Sequence, residues 1–318
     1  MHIDIIKQII ENNNYLLIDP NQYHKGHGNA LSIKLVMPTY CQANCDFCFN
    51  KSNKKQQHDA DIFLKNLDIS LSKIFNNVKR KFTLDITGNE PTFNVELFKN
   101  TLDIINKYRS FISKIVLTTN GFNLMDCLSF IDMIDIINIS IHHYDFNIRK
   151  DIFKTNNILN DIQLKSIISD LKNKKIAVSA ICVLNKEIDD FEEFYNRFSD
   201  WAIKLGFSDI RMRSNYLRKE SFMDKIYDMN IGEIIETSDV PGLKSKKIYD
   251  SKRNYYTYIF IGVETLVNIV IGAEMVIDDD GLLYIDYNKE YPISDDSLSY
   301  FNKIYVLGDN INEKRFEW

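Results

Sequence analysis

Residues 38–50 read Pro38-Thr39-Tyr40-Cys41-Gln42-Ala43-Asn44-Cys45-Asp46-Phe47-Cys48-Phe49-Asn50 and directly follow an apolar run at residues 33–37. Cys41, Cys45 and Cys48 are spaced four and three residues apart, so a single loop can present three thiolates to one metal centre. Thiolate is the ligand that iron–sulfur clusters require. The spacing therefore favours an iron–sulfur cluster held by this loop.

A fourth cysteine is missing near the loop, because Cys127 and Cys182 stand alone on later elements. A cluster held by three thiolates has one iron without a protein ligand, and that iron can bind a substrate or cofactor. The alternative is a structural zinc site of the Cys₃His type, with His58, His142 or His143 as the fourth ligand. Structural zinc sites more often combine two short cysteine pairs than one tight triple.

Apolar runs of strand length alternate with amphipathic segments of helical length along the middle of the chain. The strand-like runs lie at residues 33–37, 82–86, 114–118, 136–141, 176–183 and 209–213. The helical segments include residues 98–108, 161–172 and 191–205. This alternation predicts an α/β fold with a parallel sheet and crossover helices. Six strands suit either an open doubly wound sheet or an incomplete barrel.

The pattern differs at the two ends of the chain. Residues 1–30 form a predicted N-terminal extension, with a short helix at 3–11, a small extended piece and a polar loop at 21–29. Residues 31–215 form the predicted α/β core. Residues 216–318 form a predicted β-rich C-terminal cap that contains the substrate region.

Within this cap, residues 214–250 are predicted to be irregular, with a turn at Pro241-Gly242. Residues 255–288 are predicted to form strands. Asp280-Gly281 indicates a hairpin between strands at 273–276 and 282–286.

Composition and charge exclude several functional classes. The 318 residues include 39 Lys plus Arg and 44 Asp plus Glu, which gives a net charge of −5 and no basic block for nucleic acid. The longest apolar stretch, 258–277, is interrupted by Glu264, Asn268 and Glu274, so it predicts strands and no membrane span. A clustered set of thiols and no signal peptide indicate a reducing, cytoplasmic location.

Three motifs resemble those of the radical S-adenosylmethionine (SAM) superfamily. The cysteine triple, with Phe47 before its last member, matches the CX₃CXΦC signature after the first core strand. Thr87-Gly88-Asn89-Glu90-Pro91 resembles the Gly-Gly-Glu-Pro segment that holds the amino group of SAM, with Asn89 in place of the second Gly. That position is expected to need an unusual φ, which Asn tolerates.

Thr118-Thr119-Asn120-Gly121 resembles a further family segment. The resemblance covers roughly residues 31–215 and is strongest to the branch with the pyranopterin-forming cyclase and viperin.

The resemblance implies a partial (β/α)₆ TIM-like barrel with a [4Fe–4S] cluster on Cys41, Cys45 and Cys48 at its mouth. It implies that SAM binds the open iron and is cleaved by one electron to methionine and a 5′-deoxyadenosyl radical, which abstracts hydrogen from the substrate. The implied SAM contacts are Phe47, Gly88, Asn89, Glu90, Pro91, Asn120 and Ser140. For Ser140, helix capping or core hydrogen bonding is the alternative, and packing alone also explains Phe47.

Strand alternation places sets of polar residues on the inner face of the predicted barrel, because the outer face must pack on helices. The sets are Thr83, Asp85 and Thr87 on the second strand, Asn138, Ser140 and His142 on the fourth, and Arg211 and Arg213 on the sixth. Asp85, His142, Arg211 and Arg213 are therefore candidate catalytic residues. His142 is a candidate general base or a structural hydrogen-bond partner. The two arginines are candidate ligands of the SAM carboxylate or of an acidic substrate group, or partners that neutralise Asp85 or nearby acids.

These features predict a radical SAM enzyme of a biosynthetic pathway, such as natural-product biosynthesis. The expected substrate is a small molecule (nucleotide, sugar or amino acid) or a peptide, and the expected electron donor is a flavodoxin or ferredoxin. Residues 216–318 contain no cysteine, which predicts a single cluster. The alternatives are a non-catalytic zinc- or SAM-binding interaction module and a plain α/β binding domain.

Overall fold

The computed structural model describes residues 15–18, 31–48, 59–78, 81–188, 190–213, 231–240, 243–262, 268–271 and 274–284. The predicted helix at 3–11, the loop at 21–29 and the turn at Pro241-Gly242 lie outside these residues. No helix in the described part of the chain is long and apolar enough to cross a membrane.

Strands and helices alternate through the middle of the chain. The first strands are β1 (Tyr15–Ile18), β2 (Leu31–Met37), β3 (Phe82–Gly88), β4 (Ile112–Thr119), β5 (Ile136–Ser140), β6 (Ala177–Val183) and β7 (Asp209–Arg213). The later strands are β8 (Glu233–Val240), β9 (Leu243–Asp250), β10 (Tyr255–Gly262), β11 (Asn268–Ile271), β12 (Glu274–Ile277) and β13 (Leu283–Tyr284). The helices are α1 (Ala60–Asn77), α2 (Val95–Lys107), α3 (Leu124–Cys127), α4 (Phe146–Phe153), α5 (Asp161–Asn173) and α6 (Phe191–Leu205), with a 3₁₀ turn at Arg109–Phe111.

Strands β2 to β7 lie side by side in chain order and pair in parallel. This arrangement confirms the predicted α/β fold with a parallel sheet, in the form of a partial barrel. A parallel strand extends the set on each side, because β12 pairs with β2 and β10 pairs with β7. The antiparallel strands β13 at one edge and β9 and β8 at the other complete a sheet of eleven strands, and in the described residues these two edges do not pair with each other. Strands β1 and β11 form a separate parallel pair.

The main core lies between the sheet and the helices. Alternate residues of each strand, such as Leu84 and Ile86 of β3, are buried there with Phe63 of α1 and Phe98 of α2. On β3 the other face carries Thr83, Asp85 and Thr87, which are partly exposed, as expected of strand residues that face a barrel lumen. This face, which points away from the helices, is called the inner face below.

The helices begin at residues whose side chains cap free backbone N–H groups. Asp59 accepts hydrogen bonds from the backbone of Asp61 and Ile62 at the start of α1, and Asn160 forms a reciprocal capping box with Gln163 in α5. Such caps stabilise a helix start by about 1 kcal/mol each. The helix predicted at 191–205 and the strand predicted at 209–213 are confirmed to the residue.

Two local predictions were wrong. Residues 214–250 are not irregular throughout, because β8 and β9 form an antiparallel hairpin on either side of residues 241–242. The fourth predicted strand stops one residue early, at Ser140, and His142 has a φ of +67°. The strand alternation that placed His142 on the inner face therefore does not extend to that residue.

Candidate active site at the carboxyl-terminal edge of the sheet

The three clustered cysteines lie in the loop that directly follows β2. Cys45 is buried and Cys41 and Cys48 are partly exposed, and all three are free thiols. Two backbone hydrogen bonds hold this loop. Asn44 N donates to the carbonyl of Phe153 in α4 (2.8 Å), and Cys48 N donates to the carbonyl of Cys45 within the loop (3.3 Å). Packing of Ala43, Cys45 and Phe153 fixes the loop against the end of α4.

Two N–H groups donate to the sulfur of Cys41. The backbone N of Ala43 lies 3.4 Å from this Sγ and the side-chain Nδ2 of Asn120 lies 3.7 Å from it. Both donors favour the thiolate, whereas burial raises the pKa of the Cys41 thiol. The same Asn120 amide donates to Gln42 Oε1 at 3.4 Å. Asn120 is thereby placed next to the cysteine loop, and its role as a SAM contact stays a prediction.

Three of the five cysteines lie in this loop and supply its thiol donors. The other two cysteines, Cys127 and Cys182, are fully buried in the main core on the helix side of the sheet. Burial raises the pKa of Cys127 to about 12 and raises that of Cys182 as well. Within the described ranges, no three His, Cys, Asp or Glu side chains converge on the position of a single metal ion. Three thiols and no fourth cysteine fit a cluster whose irons each take one thiolate.

Glu90 lies at the centre of a buried hydrogen-bond network that joins the ends of β3 and β4. Its Oε1 accepts from the backbone N (3.0 Å) and Oγ1 (2.7 Å) of Thr92 and from the Oγ1 of Thr119 (2.6 Å). Its Oε2 accepts from the backbone N of Asn120 at 2.6 Å. Burial raises the pKa of the Glu90 carboxyl, and these hydrogen bonds act in the opposite direction. Oε1 is saturated, whereas Oε2 keeps one lone pair for a further donor.

Gly88, and not Asn89, is the residue of this motif that has a positive φ. Gly88 has a φ of +123°, and a Cβ on it would lie 2.9 Å from the backbone N of Met37. Asn89 is not among the residues with positive φ, so the expectation that this position needs an unusual φ was wrong. Its side chain instead donates to the carbonyl of Thr39 at 2.8 Å. Because the Oγ1 of Thr39 donates to the carbonyl of Glu90 at 2.7 Å, the cysteine loop is tied to the β3 turn, where Pro91 is also buried.

His142 lies beneath the cysteine loop. Its ring contacts that of Phe47 at 4.8 Å between centroids, and its Nδ1 accepts from the backbone N of Val183 at 3.1 Å. Burial lowers the pKa of His142 to about 3, so the ring is neutral and carries its proton on Nε2. In His143, Nδ1 accepts from the backbone N of Asp145 at 2.9 Å. These contacts give both histidines structural partners, and a catalytic role for His142 stays a prediction.

The remaining predicted residues lie on the inner face of the sheet. Asp85 forms an ion pair with Lys34 of the neighbouring strand, and Ser140 is partly buried at the end of β5. Ser140, Ile181 and Arg211 occupy one line of register across β5, β6 and β7. The Nε of Arg211 donates to Asp209 Oδ1 at 3.1 Å, and Arg211 is separated from Asp85 by three strands. Arg211 thus neutralises a nearby acid, as the alternative to a ligand-binding role predicted, and that acid is Asp209 instead of Asp85.

Several residues of the site had no signal in the sequence. Thr92 and Thr119 emerge as partners of Glu90 only because β3 and β4 end at the same height. Thr119 lies within a motif and could have been found there. Lys34, the partner of Asp85, is separated from it by 51 positions and could not.

A parallel partial barrel with a thiol loop at its carboxyl-terminal edge is typical of enzymes that use a metal cluster. The model of the Radical SAM superfamily matches residues 35–198, just over half of the chain. The chain therefore belongs to the radical SAM superfamily and is an enzyme of a family that uses SAM and an iron–sulfur cluster. No curated protein sequence matches the chain.

The fold is similar to that of Streptococcus suis SuiB in two solved structures. Streptococcus suis SuiB matches with a TM-score of 0.57 and 12% identity, over 96% of this chain and 71% of SuiB. SuiB bound to the precursor peptide SuiA matches with a TM-score of 0.56 and 12% identity, over 96% and 70% of the two chains. The methyltransferase TsrM from Kitasatospora setae, bound to tryptophan and a SAM analogue, has a TM-score of 0.44 and 12% identity, over 61% and 37%.

Proposed function

We propose that this enzyme cleaves SAM reductively at a [4Fe–4S] cluster held by Cys41, Cys45 and Cys48. The observation that carries the proposal is the placement of three thiols in one loop beside the Gly88 turn. When bound, the cluster and SAM supply an electron and a 5′-deoxyadenosyl radical that takes a hydrogen atom from the substrate. The electron comes from a reductase of the flavodoxin or ferredoxin type.

The residues of this edge hold SAM in the proposed complex. The open lone pair of Glu90 Oε2 accepts from the SAM ammonium group, beside backbone groups of Gly88, Asn89 and Pro91. Asn120 and Ser140, at the ends of β4 and β5, contact the rest of the cofactor. Phe47 packs on one side of the cysteine loop. Their common task is to orient SAM and to exclude water from a reactive radical.

The substrate is a small molecule (a nucleotide, sugar or amino acid) or a peptide, transformed in a biosynthetic pathway. SuiB, which has a similar fold, binds the precursor peptide SuiA in one solved structure, and this supports a peptide as the substrate. The proposed substrate-side residues are Asp85, Arg211 and Arg213 of the inner face, together with His142, which lies beneath the cysteine loop. The proposed segments remain 1–30, 31–215 and 216–318, since the six central strands end at Arg213.

The proposed location is the cytoplasm. All five cysteines are free thiols, and three of them must stay reduced to hold a cluster. No nucleic acid or membrane is a proposed partner of this acidic chain.

Anaerobic reconstitution tests the proposal. The full chain, loaded with iron and sulfide and reduced with dithionite, is expected to hold about four irons per chain and to release 5′-deoxyadenosine from SAM. Cys45→Ala is expected to lose the iron and the product. Cys127→Ala, which removes a core thiol, is the matched control and should keep both.

A loaded cluster that never yields 5′-deoxyadenosine contradicts the proposed function. One zinc ion per chain and no brown colour instead favour a non-catalytic zinc-binding module. If Cys45→Ala leaves every property unchanged, the chain is a plain binding domain.

A further inference from the structure

The side chain of Asn120 is held in one orientation by the turn that follows β4. Its amide accepts a hydrogen bond from the backbone N of Phe122 at 3.0 Å. A backbone N–H can only donate, so the atom that accepts it is the amide oxygen, Oδ1. The other branch of the amide, Nδ2, is therefore the atom that faces Cys41 and Gln42 in the cysteine loop.

Both N–H groups of this amide have an acceptor in the loop. Nδ2 lies 3.7 Å from Cys41 Sγ and 3.4 Å from Gln42 Oε1, and an NH₂ group has two hydrogens to donate. The backbone N of Asn120 donates in turn to Glu90 Oε2 at 2.6 Å. With its backbone and both ends of its amide hydrogen-bonded, Asn120 presents an N–H group to the sulfur at a fixed position.

Asn120 lies between two groups that carry negative charge when ionised. Burial is the largest cause of the raised pKa of Cys41, and the charges of Glu90 and Cys48 raise it further. The hydrogen bonds from Ala43 and Asn120 act in the opposite direction. Asn120 thus donates to the Glu90 carboxylate through its backbone and to the Cys41 sulfur through its side chain, where the two like charges repel each other.

Hydrogen bonds to sulfur influence how readily an iron–sulfur cluster accepts an electron. Reduction adds one negative charge to the cluster and its thiolate ligands. An N–H group that donates to a ligand sulfur therefore stabilises the reduced state more than the oxidised state, which raises the reduction potential. The donors to Cys41 Sγ are the backbone N–H of Ala43 and the side-chain N–H of Asn120, and a substitution can remove the second alone.

We propose that Asn120 raises the reduction potential of the cluster by donating a hydrogen bond from Nδ2 to Cys41 Sγ. The proposal rests on the proposed function, since it needs the cluster on the three cysteines. In the step concerned, the cluster takes one electron from the reductase of the flavodoxin or ferredoxin type, and no bond forms or breaks. Asn120 acts through Cys41 and is therefore a positioning residue. Its Oδ1 keeps one lone pair, so a contact with SAM is compatible with this role.

A redox titration of the reconstituted full chain, followed by electron paramagnetic resonance without SAM, tests the proposal. In Asn120→Ser the hydroxyl can still accept from the backbone N of Phe122, but it is too short to reach Cys41. The equilibrium constant for one-electron reduction is expected to fall about tenfold, which is about 59 mV in potential. Asn120→Asp keeps the size and the acceptor for Phe122 but has no N–H group to donate. It should lower the potential by at least as much.

Asn123→Ser is the matched control from the same turn. The side chain of Asn123 donates to the carbonyl of Thr92 at 2.9 Å, so this change removes a hydrogen bond that does not involve a thiol. Its potential should equal that of the wild type. Equal potentials of Asn120→Ser and the wild type overturn the proposal, and so does an equal shift in Asn123→Ser. If both Asn120 variants fail to take up iron, Asn120 is needed for assembly and the proposal is also wrong.

The potential and the reaction product separate this inference from the proposed function. A wild type that forms 5′-deoxyadenosine at the same potential as Asn120→Ser removes the inference and leaves the proposed function standing. A loaded wild-type cluster that never yields 5′-deoxyadenosine removes the proposed function, whereas a lowered potential in Asn120→Ser still supports the role of this N–H group. A wild type that takes up no iron overturns both.

Discussion

Replacing Glu90 with Gln tests whether this carboxylate organises the edge of the sheet. Oε1 receives three donors, from Thr92 and Thr119, and Oε2 receives the backbone N–H of Asn120. A Gln amide has one oxygen and one NH₂ group. When its oxygen replaces Oε1, its NH₂ faces the N–H of Asn120, so that two donors meet in a site with 1% exposure.

The expected loss in the free energy of unfolding is about 2 kcal/mol, since a buried donor left without an acceptor costs about 1–3 kcal/mol. Glu90→Ala strands all four donors and is expected to cost about 4 kcal/mol or more. Glu96→Gln is the matched control, because Glu96 is exposed in the first turn of α2. There the change weakens only the interaction with the helix dipole and should cost about 0.5 kcal/mol.

Urea unfolding of the reduced, cluster-free chain measures these values, with the slope m checked for constancy. In parallel, SAM binding is measured on the reconstituted protein. If Glu90→Gln unfolds like the Glu96→Gln control but no longer binds SAM, Glu90 is only a ligand. The network would then contribute nothing to the fold, and the reasoning from its four hydrogen bonds would be refuted.

Three further substitutions probe the same edge. His142→Asn introduces a residue that tolerates positive φ and does not titrate. Because the pKa of His142 falls to about 3 on folding, the wild type loses about 1.4 kcal/mol of stability per pH unit as pH falls below about 6.5. The variant should lack this contribution in unfolding curves measured between pH 4 and 7. Gly88→Ala should lower the free energy of unfolding by about 2 kcal/mol or more, since its Cβ would lie 2.9 Å from Met37 N at a φ of +123°. An unchanged midpoint of urea unfolding would contradict this. Asn89→Gly removes the 2.8 Å hydrogen bond to the carbonyl of Thr39 and should lower the free energy of unfolding by about 1–2 kcal/mol. A stabilised variant would mean that the second glycine of the Gly-Gly-Glu-Pro segment suits this backbone better than Asn does.

The central fold could be predicted because its signals are local. Runs rich in Ile, Leu and Val mark the parallel strands, and α6 shows both a capping Asp190 and a terminating Gly206 in the left-handed conformation. The spacing of the three cysteines is also a local signal, because all three thiols belong to one loop. By contrast, β8 and β9 were missed because both strands contain several charged and polar residues, which hide the alternation. Of the two, β8 forms the edge of the sheet, where such residues are common.

The partners within the site could not be predicted, because they depend on register between distant strands. Asp85 meets Lys34, and Lys247 meets Tyr258, only once β2 lies beside β3 and β9 beside β10. The role of Asn89 was missed for a similar reason. Its motif position suggested backbone freedom, whereas the structure uses its side chain to reach Thr39 in the preceding loop.

The spacing of β5 and β7 bears on how SAM and the substrate are placed. Ser140 and Arg211 lie on one line of register with β6 between them, so that about 10 Å separates these two strands along the sheet. Under the proposed function, SAM contacts Ser140 at the β5 end of this line and the substrate contacts Arg211 at its β7 end, so the two are bound by different strands of the same face.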